Sequence, residues 1–170
     1  MATKLEILDA ALEVLRHGDA LTLDAAARHA GLTKPGLVHH FATQESLTVA
    51  VVDRVIDLWE AELRARVRNG ADEVERLRAY VEFALLGDLD PSDLALLADA
   101  RLRDKLCEQW MRRLDPWFGS GLDDPRVRSA RLLADGAWFD RSLGIIQFSR
   151  AQRESMLTVA LGLISEGVQK

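Results

Sequence analysis

Residues Gly31–Phe41 read GLTKPGLVHHF. Two adjacent histidines, a lysine, a proline and two glycines stand together where the pattern is otherwise helical. The stretch is either a metal or catalytic site, or a short helix built to touch something outside the protein. Adjacent histidines on a helix diverge by about 100°, so His39 and His40 cannot ligate one metal from one face. Zinc helices place ligands at i and i+4, as in H-E-x-x-H, and the sequence has no such pair. His29 can approach them in space, but no cysteine or acid sits nearby. The expectation is therefore no metal, no cofactor and no catalytic residue. Thr33 is an N-cap candidate and Pro35 falls in the first turn, where a missing N–H is tolerated, so KPGLVHHF is predicted to be a helix of about two turns.

Upstream, Thr22 is a plausible N-cap for a second short helix, DAAARHA, which ends at Gly31. A short helix, a tight turn and another short helix make a helix-turn-helix, whose second helix enters the major groove. Thr33, Lys34, Pro35 and Gly36 are small or polar enough to approach base edges. Val38 and His39 lie further along the exposed side, while Leu37 and Phe41 face inward. The Thr33 and Thr43 hydroxyls, with the N–H groups of the helix starts they cap, can hold phosphates. A solvated surface helix is the plainer alternative, but a span this short does not stabilise itself.

Around this motif the pattern is helical throughout. Leu5, Leu8, Leu12 and Leu15, with Ala11, form one apolar stripe on a first helix ending near His17-Gly18. Thr43 caps a fourth helix, QESLTVAVVDRVIDLWEAELRARV. RNGADE, after Val67, is the best candidate boundary between two parts. Glu73 to Gly87 is one helix, and Asp90-Pro91-Ser92-Asp93 opens another through Leu94, Leu97, Ala98 and Leu102. Lys105 to Leu114 follows, closed by Asp115-Pro116; GSGLDD is a loop. Asp124-Pro125 starts a long helix to about Ile146, and Ser149-Arg150-Ala151-Gln152 fits a capping box opening the last. The expected fold is all-α with about nine helices, divided at 1–46 and 47–170.

Composition sets the outer limits. Of 170 residues, 48% are hydrophobic and 29% charged, which suits a globular chain with a core. No apolar run approaches the roughly 18 residues of a membrane span. MATKLEILDAALEVL is amphipathic and carries acids, so it is not a signal peptide. The single cysteine, Cys107, excludes an internal disulfide and suits the cytoplasm; its neighbours predict a buried apolar thiol. The net charge of −5 counts mildly against a nucleic-acid partner, yet Arg28 to His40 carries Arg28, Lys34 and three histidines with no acid.

The long helix from Pro125 has two apolar rows. Leu132, Gly136, Phe139 and Leu143 form one; Ala130, Ala134, Ala137 and Trp138 form the other; Arg128, Arg131, Asp135 and Ser142 share the polar stripe. Two apolar faces imply burial on two sides, against the chain's own core and against a partner. The last helix, with Leu157, Leu161 and Ile164, is similarly apolar. All four tryptophans lie after the helix-turn-helix. Trp59, Phe83, Trp110, Trp138 and Phe139, with Leu97 and Leu114, are candidates to line a cavity for a flat or cationic molecule. Asp140 falls between the two apolar rows. A buried carboxylate needs a partner, which is either Arg141 or another arginine, or a ligand cation.

Residues 1–50 resemble the DNA-binding head of the tetracycline-repressor (TetR) family, through ILDAALEVL and then LTLDAAARHAGLTKPGLVHHFATQESL running into a long helix. The resemblance implies an all-α homodimer with a helix-turn-helix head, a connecting fourth helix and a larger ligand-binding domain. It implies a double-stranded DNA operator and release by a small molecule. Carried over by position, Thr33, Lys34, Pro35, Gly36, Val38, His39 and His40 fall on the recognition helix, Thr22 and Arg28 on the supporting helix, and Thr43 at the start of the fourth. Leu132, Gly136, Leu143, Leu157, Leu161 and Ile164 fall on helices resembling the family's four-helix dimer interface. Val38 stands where the family often has tyrosine and Gln44 where it often has lysine, which predicts fewer phosphate contacts. WEAELR, ERLRAYV, LALLADA and ADGAWFD resemble a drug-responsive subgroup and point to a lipophilic, in the sharper reading cationic, effector. The function expected is a cytoplasmic one-component regulator, with repression the leading reading and activation the alternative. A helical adaptor for a protein partner, and an enzyme acting on a small lipophilic molecule, are the rival classes.

Overall fold

The computed structural model describes residues 2–88, 90–119 and 123–168. Among them the chain is all-α, with no strand. Helix α1 spans Lys4–Arg16, α2 Leu23–His29, α3 Lys34–His40, α4 Gln44–Ala65 and α5 Glu73–Leu86. Then come α6 (Ser92–Ala98), α7 (Ala100–Gln109), a π-helical turn (Trp110–Leu114), α8 (Asp115–Phe118), α9 (Pro125–Leu143) and α10 (Arg150–Val168). Half of the expected GSGLDD loop, residues 120–122, lies outside the described residues.

Helix starts follow from local chemistry. Thr3 and Glu6 form a capping box on α1, Asp72 and Glu75 another on α5. Gln152 N donates to Ser149 Oγ at 3.3 Å and Ser149 N to Gln152 Oε1 at 2.8 Å, which is the box expected at α10. Asp124 accepts from Arg126 N at 2.9 Å ahead of Pro125, as its sequence signalled. Gly144 ends α9 in the left-handed region, φ 64°, where a side chain would be strained.

The chain forms two compact units that do not follow chain order. One comprises Met1–Leu58 with Asp90–Trp110; the other comprises Trp59–Leu89 with Met111–Lys170. In the first, α1 packs on α2, α2 on α3, and α6 on both α1 and α7. Its core includes Ile7, Leu12, Leu37, Leu47 and Leu96. Leu5, expected in the α1 stripe, is exposed instead; the buried stripe runs through Ile7 and Val14 beside Leu8, Leu12 and Leu15. Cys107, expected to be buried, is exposed on α7, whose inward row is Leu102 and Leu106. The single helix expected through Leu94 to Leu102 is broken at Asp99, whose carboxylate accepts from Arg101 N at 2.8 Å and so starts α7.

Two ion pairs fasten residues 90–110 to the rest of the first unit. Arg16 Nε donates to both Asp90 oxygens at 2.9 Å, and Asp90 Oδ1 also accepts from Ser92 N and Oγ at 2.9 and 2.7 Å. Lys105 Nζ lies 3.4 Å from Glu45 Oε1 at the start of α4. Burial on its own would raise the Asp90 carboxyl, but the bonds from Arg16 and Ser92 and the Arg16 charge outweigh it and hold it below the usual carboxylate range. A carboxylate lowered on folding stabilises the fold above its unfolded pKa and loses that contribution as pH falls through the folded value. Thermal melts between about pH 3 and 7 are therefore expected to show a loss below about pH 4 in the parent protein. Asp90→Asn should remove about 1 kcal/mol or less of that acid sensitivity, because the pair is partly solvated. Parallel pH curves for parent and variant would contradict this.

In the second unit α5, α9 and α10 pack against one another and α8 packs on α5. The core holds Leu77, Leu85, Leu114, Phe118, Ala130, Ala134 and Ile164. A Cβ at Gly167 would sit 2.5 Å from Val127 Cγ2, so the end of α10 needs glycine to approach the start of α9. The polar stripe expected on α9 is not simply solvated. Arg131 turns inward, its guanidinium 4.2 Å from the Phe118 ring centre and 5.1 Å from that of Tyr80. Its Nε lies 3.3 Å from Asp135 Oδ1, which also accepts the Tyr80 hydroxyl at 2.5 Å. Burial first, then the Asp135 charge, pushes the Tyr80 hydroxyl well above its usual pKa, so it stays a neutral donor.

Candidate functional site

Helices α2 and α3 form the expected helix-turn-helix. Thr22 Oγ1 accepts from Ala25 N at 3.0 Å and starts α2. Leu32 N donates to Ala27 O at 2.8 Å, and Gly31 turns the chain at φ 65°. Thr33 Oγ1 accepts from Gly36 N at 3.3 Å and starts α3, with Pro35 in the first turn. Leu37 and Phe41 are buried and anchor the helix. Thr33, Lys34, Pro35, Val38 and His39 are exposed, as are Thr22, Arg28 and Thr43; Gly36 and His40 are half-buried. Thr43 Oγ1 accepts from Ser46 N at 3.0 Å. The ten DNA-reading candidates thus belong to one unit.

The surface is not uniformly basic. Lys34 Nζ lies 2.9 Å from Asp24 Oδ2, a pair in solvent. The His39 and His40 rings meet edge to face, centres 5.7 Å apart, with His40 turned partly inward. Two contributors are not visible in the short-range pattern. Lys4 holds its ammonium 5.3 Å from the Phe41 ring centre, beside the end of α3. Gln44 reaches from the start of α4 to the start of α2: Nε2 donates to Leu21 O at 2.7 Å and Oε1 accepts from Leu23 N at 3.1 Å.

The candidate effector residues divide. Leu97 and Trp110 belong to the first unit; Trp59, Phe83, Leu114, Trp138, Phe139 and Asp140 belong to the second. Trp59 and Trp138 meet edge to face at 5.5 Å. Phe83 carries the Arg66 guanidinium 5.3 Å from its ring centre, and Leu114 is buried. Asp140 Oδ1 accepts from Ile146 N at 3.1 Å, and its buried Oδ2 has no hydrogen-bond partner. Arg141, one of the partners considered for it, instead donates to Ala84 O at 2.6 Å and Gly87 O at 2.5 Å.

On α9, Leu132, Phe139 and Leu143 are 70%, 47% and 49% exposed, and Gly136 opens on empty space in the same row. Phe139, grouped with the effector residues by composition, therefore lies on the outward row. Ile145, Ile146 and, on α10, Val159 are also exposed. Leu157 and Leu161 are half-buried. Ile164 is fully buried within its own unit, so it backs that face rather than presenting it.

Comparison with known proteins places these features. Residues 7–51 match the family described as bacterial regulatory proteins, tetR family, and residues 74–164 match the tetracyclin repressor-like C-terminal domain. The HTH-type transcriptional activator FasR of Mycolicibacterium smegmatis is 38% identical over 79 residues, 45% of this chain and 36% of FasR. The chain thus matches little more than a third of that relative's length. A transcriptional regulator from Rhodococcus sp. Rha1 shares the fold at a TM-score of 0.69 with 18% identity, over 98% of this chain and 97% of that one. The regulator FadR of Bacillus subtilis, in complex with stearoyl-CoA, does so at 0.62 with 18% identity, over 98% and 100%. The helix-turn-helix head and the C-terminal domain, which alone matches more than half of the chain, show that this protein belongs to the TetR family of transcriptional regulators.

Proposed function

We propose that the protein acts as a homodimeric repressor that reads a palindromic operator with two copies of α3 and leaves it when a small lipophilic effector binds. Residues 1–46 are the DNA-binding part and 47–170 the effector and dimerisation part. The observation that carries the reading is the outward face of α3, with Thr33, Lys34, Pro35, Val38 and His39 in solvent and Leu37 and Phe41 fixed beneath them. Gly36 and His40 complete the helix, Thr22, Arg28 and Thr43 flank it, and Thr43 offers a hydroxyl at the start of α4. Two such helices read successive major grooves about 34–36 Å apart. The outward row on α9 supports the dimer. FasR is called an activator, so a family member acts with the opposite sign. Repression is the reading here, because displacement of a bound dimer needs no further contact.

The proposed effector set is Trp59, Phe83, Leu114 and Trp138, all in the second unit. FadR is seen with stearoyl-CoA, a lipophilic molecule, and the apolar residues of this set suit the same chemistry. The unpartnered Asp140 Oδ2 would suit a cation on the effector. No helix among the described residues is long and apolar enough to cross a membrane, and the protein is proposed to work in the cytoplasm, on the nucleoid when bound.

Selection from a random duplex library at near-physiological salt is expected to enrich a palindrome with half-sites about 10 bp apart. A Lys34→Ala, His39→Ala double variant should bind it at least about 10³-fold more weakly, from four lost base contacts in the dimer, two per half-site, at roughly 1–3 kcal/mol each. Equal binding by parent and variant would remove α3 from the reading surface. Loss of reporter expression on producing the parent protein, reversed by an effector, would establish repression; a gain would establish activation.

A further inference from the structure

The side chain of Gln44 joins two helix starts. Its Nε2 donates to Leu21 O at 2.7 Å and its Oε1 accepts from Leu23 N at 3.1 Å, so the two bonds flank Thr22, the N-cap of α2. A primary amide both donates and accepts in this fork, whereas lysine only donates and an ionised carboxylate only accepts. The bonds are partly buried and reach 23 and 21 residues back along the chain. They engage a first-turn donor of α2 that a phosphate would otherwise use. Leu23 N is held by Gln44, and Ala25 N by Thr22 Oγ1. The α2 start is therefore less an anion cradle than a joint to α4. Helix α4 is also tied to α1, with Arg54 Nε 2.8 Å from Asp9 Oδ1. Helix α3 packs on α2, so the pose of α2 sets the pose of the recognition helix.

We propose that Gln44 is a positioning residue for operator reading: its amide locks the first turn of α4 to the N-terminus of α2, so that α2 and α3 follow α4. This rests on the DNA-reading function above and deepens it, since the amide adds a direct tie between α4 and α2 to the Arg54–Asp9 pair and the short 41–43 connection. It also accounts for glutamine where the family often has lysine: the position serves the protein's own frame rather than a phosphate.

The test compares the full-length parent with Gln44→Ala, Gln44→Glu and Gln44→Lys. The readouts are amide exchange at Leu23 by NMR and affinity for the selected operator and for a scrambled duplex. Gln44→Ala is expected to speed Leu23 exchange and to weaken operator binding, each about tenfold, with scrambled-duplex binding within about twofold of the parent. Gln44→Glu keeps the acceptor for Leu23 N, so its exchange should stay slow and its operator loss should be smaller; this variant also guards against a folding failure in Gln44→Ala. Two outcomes overturn the proposal while the parent still selects an operator. One is an unchanged operator-to-scrambled ratio in Gln44→Ala. The other is unaltered binding by Gln44→Ala while Gln44→Lys tightens both duplexes and steepens the salt dependence by about one, which would make the site a phosphate contact. If the parent itself fails to discriminate operator from scrambled duplex, the DNA-reading function falls, and this proposal with it.

Discussion

Replacing Leu132 and Leu143 together by glutamate is expected to turn the protein into a monomer and abolish operator binding. These side chains are 70% and 49% exposed on the outward row of α9, flanking the open Gly136 and next to exposed Phe139, Ile145 and Ile146. In an isologous interface each position occurs twice, so the double variant removes four leucines from the contact. Burial of a leucine contributes about 1.5–3 kcal/mol, which gives about 6 kcal/mol or more and roughly a 10⁴-fold weaker dimer before repulsion among four carboxylates is counted. Because the residues are exposed within the chain, the monomer's own stability should change by only about 0.5 kcal/mol per site. Sedimentation velocity reads the oligomeric state, and circular dichroism reads the fold. A variant that remains a dimer, or a parent that is already monomeric at micromolar concentration, would refute the assignment.

The largest stability loss is expected at Phe118. Its side chain is 1% exposed, meets Tyr80 edge to face at 5.1 Å, and has the Arg131 guanidinium 4.2 Å from its ring centre. Phe118→Ala should cost about 3–5 kcal/mol for the ring and the cavity it leaves. The Arg131 charge, desolvated by the same ring, loses roughly another 1 kcal/mol of cation–π attraction. For a chain of this size the melting temperature should fall by roughly 8–24 °C. Phe118→Leu, which keeps the volume but not the π face, should fall by less than half as much. A drop below about 4 °C in Phe118→Ala would mean that the α5–α8–α9 packing does not depend on this ring.

The helix starts, the turn at Gly31 and the inward pair Leu37 and Phe41 were legible because their causes lie within a turn or two of the residue concerned. Thr22, Thr33, Asp124 and Ser149 each accept from a backbone N–H two or three residues on, and sequence spacing alone specifies that. What was not legible depends on helices meeting at long range. Arg131 reads as one more charge on a polar stripe until Tyr80 and Phe118 are brought to it. Cys107 reads as core until α7 turns Leu102 and Leu106 inward. Residues 90–110 read as part of the larger domain, yet Asp90 and Lys105 pair with Arg16 and Glu45 near the head. Gln44 reads as a lost contact because its two partners lie far back along the chain. On α9 the two apolar rows were visible in the sequence. Which of them faces out is decided by α5 and α10, which cover Ala130 and Ala134 and leave Leu132 bare.

The Lys34–Asp24 pair also bears on how the protein would find its site. A solvated pair of this kind contributes about 0–1 kcal/mol, so the ammonium can leave it within a side-chain rotation. Until it does, the tip of the recognition helix approaches a duplex almost neutral, in a chain whose net charge is −5. Without a strong positive field the encounter rate stays near the unsteered 10⁵–10⁶ M⁻¹ s⁻¹, roughly. Residence on random sequence is then brief. On the DNA-reading function proposed above, such a protein would scan by repeated short landings rather than by long one-dimensional slides, with Lys34 leaving Asp24 at little cost once a duplex is at hand.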